Sequence, residues 1–127
     1  MSNFNVDWKS RLDYLASLEQ GWCNGEGDPV PASVIATVDE FLETCSDHSD
    51  LFGQSRPSLF PLIMEPGIQA EWESEDVEWE IDFTEDGATL WAFDPEVDFE
   101  KFIPAGPSLV DDLVVIIRRF VNEGIDL

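Results

Sequence analysis

The chain has 127 residues, 43% of them hydrophobic and 12% aromatic, with five Trp and nine Phe; this supports one domain with a core and excludes a disordered profile. Asp and Glu number 28 against 6 Lys and Arg, for a net charge of -22 and a pI near 4.1. Such a balance excludes nucleic acid and anionic membrane as direct ligands, because no basic patch exists to neutralise phosphates.

The start, Met1-Ser2-Asn3-Phe4, has no basic region followed by an apolar stretch, so no secretory leader is expected. A first helix is predicted over 5–20, where Trp8, Leu12, Leu15 and Leu18 recur at helical spacing. Gly21, Gly25 and Gly27 then mark a loop. A second helix is predicted to begin near Pro31, with Ile35, Val38, Leu42 and Cys45 as its buried stripe and Val34 and Phe41 beside it. The polar run 46–54 reads as a flexible loop.

From 59 the period changes to two. A strand over 59–65 carries Pro61, which suits an edge position, and Pro66-Gly67 signals a turn. Strands follow over 68–74, 77–84 and 88–94, the last pair joined through a three-residue loop at 85–87. After an irregular stretch, Ser108 is placed as the N-cap of a final helix, with Asp111 completing an approximate capping box. Leu109, Leu113, Ile116, Ile117 and Phe120 form its apolar face, Arg118 and Arg119 occupy its last turn, and Gly124 stops it. The expected fold is a single α+β domain spanning 1–127: two N-terminal helices, a four-stranded antiparallel sheet, and a C-terminal helix packed on one sheet face. The longest apolar run, 113–117, is too short to span a bilayer.

The segment between Arg56 and Lys101 holds fourteen Asp and Glu and no Lys or Arg. A two-residue turn at Glu75-Asp76 pairs Trp72 with Trp79 and Ala70 with Ile81 on one face. The other face then sets Glu73 against Glu78, Glu71 against Glu80, and Gln69 against Asp82. The three-residue loop at 85–87 places Asp94 opposite Glu78, with Trp91 and Phe93 joining the apolar face. Like charges directly across a sheet are destabilising, so the ladder asks for a reason. Rows of carboxylates at strand spacing, about 4.7–4.9 Å across and ~6.6–6.8 Å along, present a field resembling that of nucleic-acid phosphates.

Other chemistry finds little footing. The stretch 94–105 places acids at alternate positions, but Phe99 stands where a calcium loop needs glycine. His48 is the only histidine and sits in a polar loop, where a solvated surface role is expected. Cys23 has no sequence neighbour that lowers its pKa, and Cys45 reads as core. The two cysteines form neither a metal spacing nor a disulfide framework, consistent with a reducing cytoplasm. No cofactor and no metal are expected. The five tryptophans read as core, except Trp22, which falls in the glycine loop as either a plug or a partner anchor.

Two segments, Gly21-Trp22-Cys23-Asn24-Gly25-Glu26-Gly27 and Gly67-Ile68-Gln69-Ala70-Glu71-Trp72, resemble a family of small uncharacterised bacterial proteins. That family has a Gly-Trp-Asp-Gly-x-Gly loop and a Gly-Ile-Gln-Leu-Glu-Trp strand. Cys23 and Asn24 depart from its Asp-Gly. The resemblance implies a bacterial or phage origin and points to no particular activity.

The expected function is that of a non-enzymatic acidic inhibitor that blocks a basic nucleic-acid-binding protein, of the anti-CRISPR, anti-restriction, antitoxin or immunity type. Its expected partner-binding residues are Glu71, Glu73, Glu78, Glu80 and Asp82, with Asp94, Glu96, Asp98, Glu100 and Trp22. The alternative is an adaptor using an apolar edge patch, in which one of the sets Phe60, Leu62, Met64 and Leu59, Pro61, Ile63 is exposed.

Overall fold

The computed structural model describes residues 4–48, 57–74, 76–94 and 98–123. The fold is α+β. Among the described residues the order is α1 (Phe4–Ala16), α2 (Ala32–Asp47), β1 (Ser58–Pro61), β2 (Gly67–Ser74), β3 (Val77–Thr84), β4 (Gly87–Phe93), β5 (Asp98–Pro104) and α3 (Leu109–Glu123). The strands form one antiparallel meander in chain order, so β1 and β5 are its edges. The stretch 49–56, Glu75, Glu96, Gly124 and the side chain of Trp8 lie outside the described part.

The helices cover one face of the sheet. Leu12 and Leu15 of α1, Val34, Val38, Phe41, Leu42 and Cys45 of α2, and Leu113, Ile117 and Phe120 of α3 share a core with that face. The rings lock together: Phe41 lies 6.0 Å from Trp72 and 5.4 Å from Phe83, Trp72 stacks on Trp79 at 5.7 Å, and Phe120 meets Trp79 edge-on at 5.1 Å. Such pairs favour offset or edge geometries and add to their area burial. No polar or charged residue is buried among the described residues.

The β2–β3 register agrees with the alternation of the sequence: Trp72 faces Trp79, Ala70 faces Ile81, Glu71 faces Glu80, Glu73 faces Glu78 and Gln69 faces Asp82. Asp76, with φ 69°, turns the chain, a conformation that Asp tolerates better than most residues.

The β3–β4 register differs from expectation by one residue. Thr84 pairs with Gly87, so two residues rather than three connect the strands, and Phe93, not Asp94, stands opposite Glu78. A one-residue slip exchanges the two faces of a strand. Ala88, Leu90 and Ala92 are therefore buried, while Trp91 is half-buried and Phe93 exposed. The cause is volume: Ala92 lies against Trp79 and Ala88 against Phe83, and a large ring at either place would overpack the layer.

Four further differences are local. The strand expected over 59–65 ends at Pro61, whose ring cannot donate to a ladder. The stretch expected to be irregular after Asp94 contains β5, pairing from Gly87↔Pro104 to Phe93↔Asp98. The first helix stops at Ala16, where the amides of Ser17 and Leu18 turn back to the carbonyls of Tyr14 and Leu15. In α3 the Ser108 hydroxyl donates to Asp112 Oδ2 at 3.3 Å rather than completing a box with Asp111, and the helix runs on to Glu123, beyond Arg118 and Arg119.

Gly67 shows how tightly the sheet closes. Its φ is ordinary, but a Cβ there meets the carbonyl of Phe83 and comes within 2.8 Å of Leu62 Cδ1. Gly67→Ala is expected to cost about 1–3 kcal/mol through this overpacking, read as a lowered urea midpoint. Gly106→Ala, with nothing within 4 Å of the new Cβ, is expected to stay within about 0.5 kcal/mol.

Candidate functional site

The face opposite the helices carries the charge. Register places its residues in rows across the strands, because directly paired residues share a face. One row is Ser58, Glu71, Glu80, Trp91 and Glu100; the next toward the β3–β4 turn is Phe60, Gln69, Asp82, Thr89 and Phe102. Toward the other end lie Glu73, Glu78, Phe93 and Asp98. Among the described residues no Lys or Arg belongs to this face. Lys101 pairs with Leu90 and has the opposite parity.

Seven expected site residues therefore come together: Glu71, Glu73, Glu78, Glu80, Asp82, Asp98 and Glu100. Asp94 follows β4 and is half-buried. Glu96 lies outside the described residues. Trp22 belongs to the connection between α1 and α2. There Gly21, Asn24, Gly25 and Gly27 all take positive φ, and the amides of Gly21 and Gly25 close the loop on the carbonyls of Gly27 and Gly21. The half-buried indole lies over Gly27, where a Cβ would strike its ring, and its Nε1 donates to the Asp28 carbonyl at 2.9 Å. Among the described residues no hydrogen bond or ring contact joins Trp22 to the acidic face.

Four aromatic side chains that sequence reasoning placed elsewhere, or did not place, stand among the carboxylates. Phe60, Phe93 and Phe102 are 42%, 37% and 51% exposed, and Trp91 is half-buried. Large apolar side chains held open to water amid charge mark a surface that expects cover. The signal that reveals Trp91 and Phe93 is the small-large complement of Ala88 and Ala92 with Phe83 and Trp79, which assigns the alternate residues of β4 outward. A depression of about 360 Å³, lined by Ser58, Glu71, Glu73, Glu78, Glu80 and Phe93 among others, indents this face.

The electrostatics are those of crowded like charge. Glu80 is raised from the ordinary glutamate range, first by desolvation and then by Glu71. Asp82 is pushed up to about 6 by burial, with Glu80 and Glu65 adding repulsion. Its Oδ1 is shielded from water and has no hydrogen-bond partner. Gln69, directly opposite Asp82, donates its Nε2 instead to Glu71 Oε2 at 2.9 Å. On the helical layer the acids have relief: Lys9 Nζ bridges α1 to Asp39 and Glu43 of α2 at 3.1 and 3.4 Å.

His48 and Cys45 sit apart from this face. His48 is half-buried, not freely solvated, with Nδ1 3.2 Å from Arg118 Nη2. Burial pushes the Cys45 thiol far above its usual range, which keeps it protonated and inert. Among the described residues no group of three His, Cys, Asp and Glu is placed to hold a metal ion, and no helix is long and apolar enough to cross a membrane. No protein-family model, curated protein or solved structure matches this chain.

Asp82 gives the face a pH signature. A folded carboxyl raised to about 6 holds its proton more tightly than an unfolded one near 3.9. Its contribution to stability is therefore present below about pH 4 and lost as pH rises through about 6. Asp82→Asn is expected to stabilise the fold at pH 7 by on the order of 1 kcal/mol, allowing for partial solvent screening. That gain should vanish below about pH 4, as urea midpoints across pH would register.

Proposed function

We propose that the outer face of the sheet is a docking surface for a basic protein and that the chain is a non-enzymatic inhibitor of a nucleic-acid-binding partner. The carrying observation is the directly opposed pairs Glu71–Glu80 and Glu73–Glu78 on an open face that has no Lys or Arg among the described residues. Like charges directly opposed in a ladder are destabilising, and the Gln69 amide that donates to Glu71 is neutral and leaves the charge itself unanswered. A partner surface rich in Lys and Arg answers it. It replaces repulsion with paired charge and is steered in by the long-range field.

The same surface on the partner is one that holds phosphates, so occupancy by this chain excludes nucleic acid. A counter-defence protein acting on a CRISPR or restriction complex, an antitoxin or an immunity protein could each work by such exclusion, and the proposed setting is the cytoplasm. The apolar-edge alternative keeps some support: Phe60 on β1 and Ile63 and Met64 beyond it are 42%, 50% and 95% exposed. They are few and lie beside a charged face, so the charge-led reading is preferred.

Reversing Glu71, Glu73, Glu78 and Glu80 to Lys tests the proposal. The wild-type chain, immobilised in source lysate at low salt, is expected to retain a basic protein and to displace a labelled duplex from it. Retention should fall steeply as salt rises through a few tenths molar, where the screening length drops below about 8 Å. The fourfold variant, folded by circular dichroism, should lose both activities. Salt-resistant retention, or retention unaffected by the four reversals, contradicts the proposal.

A further inference from the structure

Resting on that reading of the acidic face, we propose that the partner's contribution is arginine: two guanidinium groups seated in two adjacent acid–aromatic–acid clamps built across β3, β4 and β5. The first clamp is Glu80–Trp91–Glu100 and the second is Glu78–Phe93–Asp98, each three residues in direct register on neighbouring strands. The aromatic stands on the middle strand in both, with an acidic residue directly opposite it on each neighbouring strand, the strands being about 4.8 Å apart.

The chemistry of such a clamp is selective. A cation over an aromatic ring gains cation–π attraction, and arginine is found there more often than lysine. The planar guanidinium also presents a fork of N–H donors, so it can lie along the ring while its edges reach carboxylates on either side. Lysine brings a point charge with no plane to stack. An apolar partner fits poorly, because covering Trp91 and Phe93 would desolvate Glu78, Glu80, Asp98 and Glu100 without pairing them. A nucleic-acid base is able to stack on the rings, but its phosphates meet only negative charge. Charge complementarity therefore commits the face to a cationic protein segment.

Spacing says more. Trp91 and Phe93 are two residues apart on one strand, so the clamps repeat at ~6.6–6.8 Å. An extended segment carries its own alternate side chains at the same interval. The occupant is thus an extended stretch with the pattern Arg-x-Arg laid along β4. The exposure of Phe93 and Phe102 and the half-exposure of Trp91 leave that path open.

Calorimetric titration with two synthetic peptides, Gly-Ser-Arg-Ser-Arg-Ser-Gly and its lysine counterpart, tests the assignment at low salt. The arginine peptide is expected to bind about fivefold to tenfold more tightly. Trp91→Ala and Phe93→Ala should each remove most of that preference while changing lysine-peptide affinity by less than about twofold. Trp91→Phe, which keeps a ring, should retain most of it. Phe93 is exposed, so its Ala variant serves even if Trp91→Ala folds poorly. Equal affinities for the two peptides, or a preference that survives both Ala variants, overturns the clamps and leaves the acidic-face reading standing. Binding of neither peptide, together with partner retention that ignores the four charge reversals, overturns both.

Discussion

The pairing of Trp72 with Trp79 across β2 and β3 sets the register on which the remaining structure depends. The two indoles stack at 5.7 Å with their planes 6° apart, between Phe41 of α2 and Phe120 of α3. A slip of one residue on either strand would turn carboxylates into this layer and send a tryptophan out to water. Burying an unpaired carboxylate costs far more than any local gain returns, so the register is strongly specified. Once Trp79 is fixed, its size admits only Ala92 from β4, and Phe83 admits only Ala88. Those two alanines then decide that Trp91 and Phe93 point outward, and β5 follows.

Much of this was legible in the residues. Clean alternation on β2 and β3 gave both the hairpin and the pairing of like charges, because both strands bury apolar side chains at alternate positions. The helices were legible from their apolar stripes, with errors at their ends and in detail: Ile35 and Ile116 are only partly buried, while Val34 and Phe41, read as flanking, are fully buried. The sequence misled at β4, where both alternate sets are apolar and ring size favours the wrong one; the deciding fact, the volume already filled by Trp79 and Phe83, belongs to the neighbouring strand. It misled at β5 because an edge strand bearing Asp98, Glu100 and Lys101 contributes little to the core beyond Ile103 and the half-buried Phe99, leaving little periodic signal. The acids of the site were therefore foreseen and its aromatics were not.

The acidity of the chain is not spread without pattern. Where α1 meets α2, Lys9 answers Asp39 and Glu43. Across the outer face no cation among the described residues answers the carboxylates, Glu71 receiving only the neutral amide of Gln69, and Asp82 is pushed toward neutrality first by burial and then by Glu80 and Glu65. Adaptation to high salt would account for general acidity but not for open aromatic side chains set between the acids. A surface destabilised in isolation and completed by a basic partner accounts for both features, and natural chains tend to break the rules of local consistency at functional sites.

That trade between stability and recognition is the central claim, and one pair of neutral isosteres probes it. The double change Glu73→Gln and Glu78→Gln removes a directly opposed pair of charges at nearly constant shape. Urea midpoint and partner retention would be measured on the same preparation at low salt. The expected result is a fold made more stable by a few tenths of a kcal/mol or more and a partner bound at least several-fold more weakly. A more stable fold that binds as before would contradict the account, leaving the pair as mere repulsion on a solvated face.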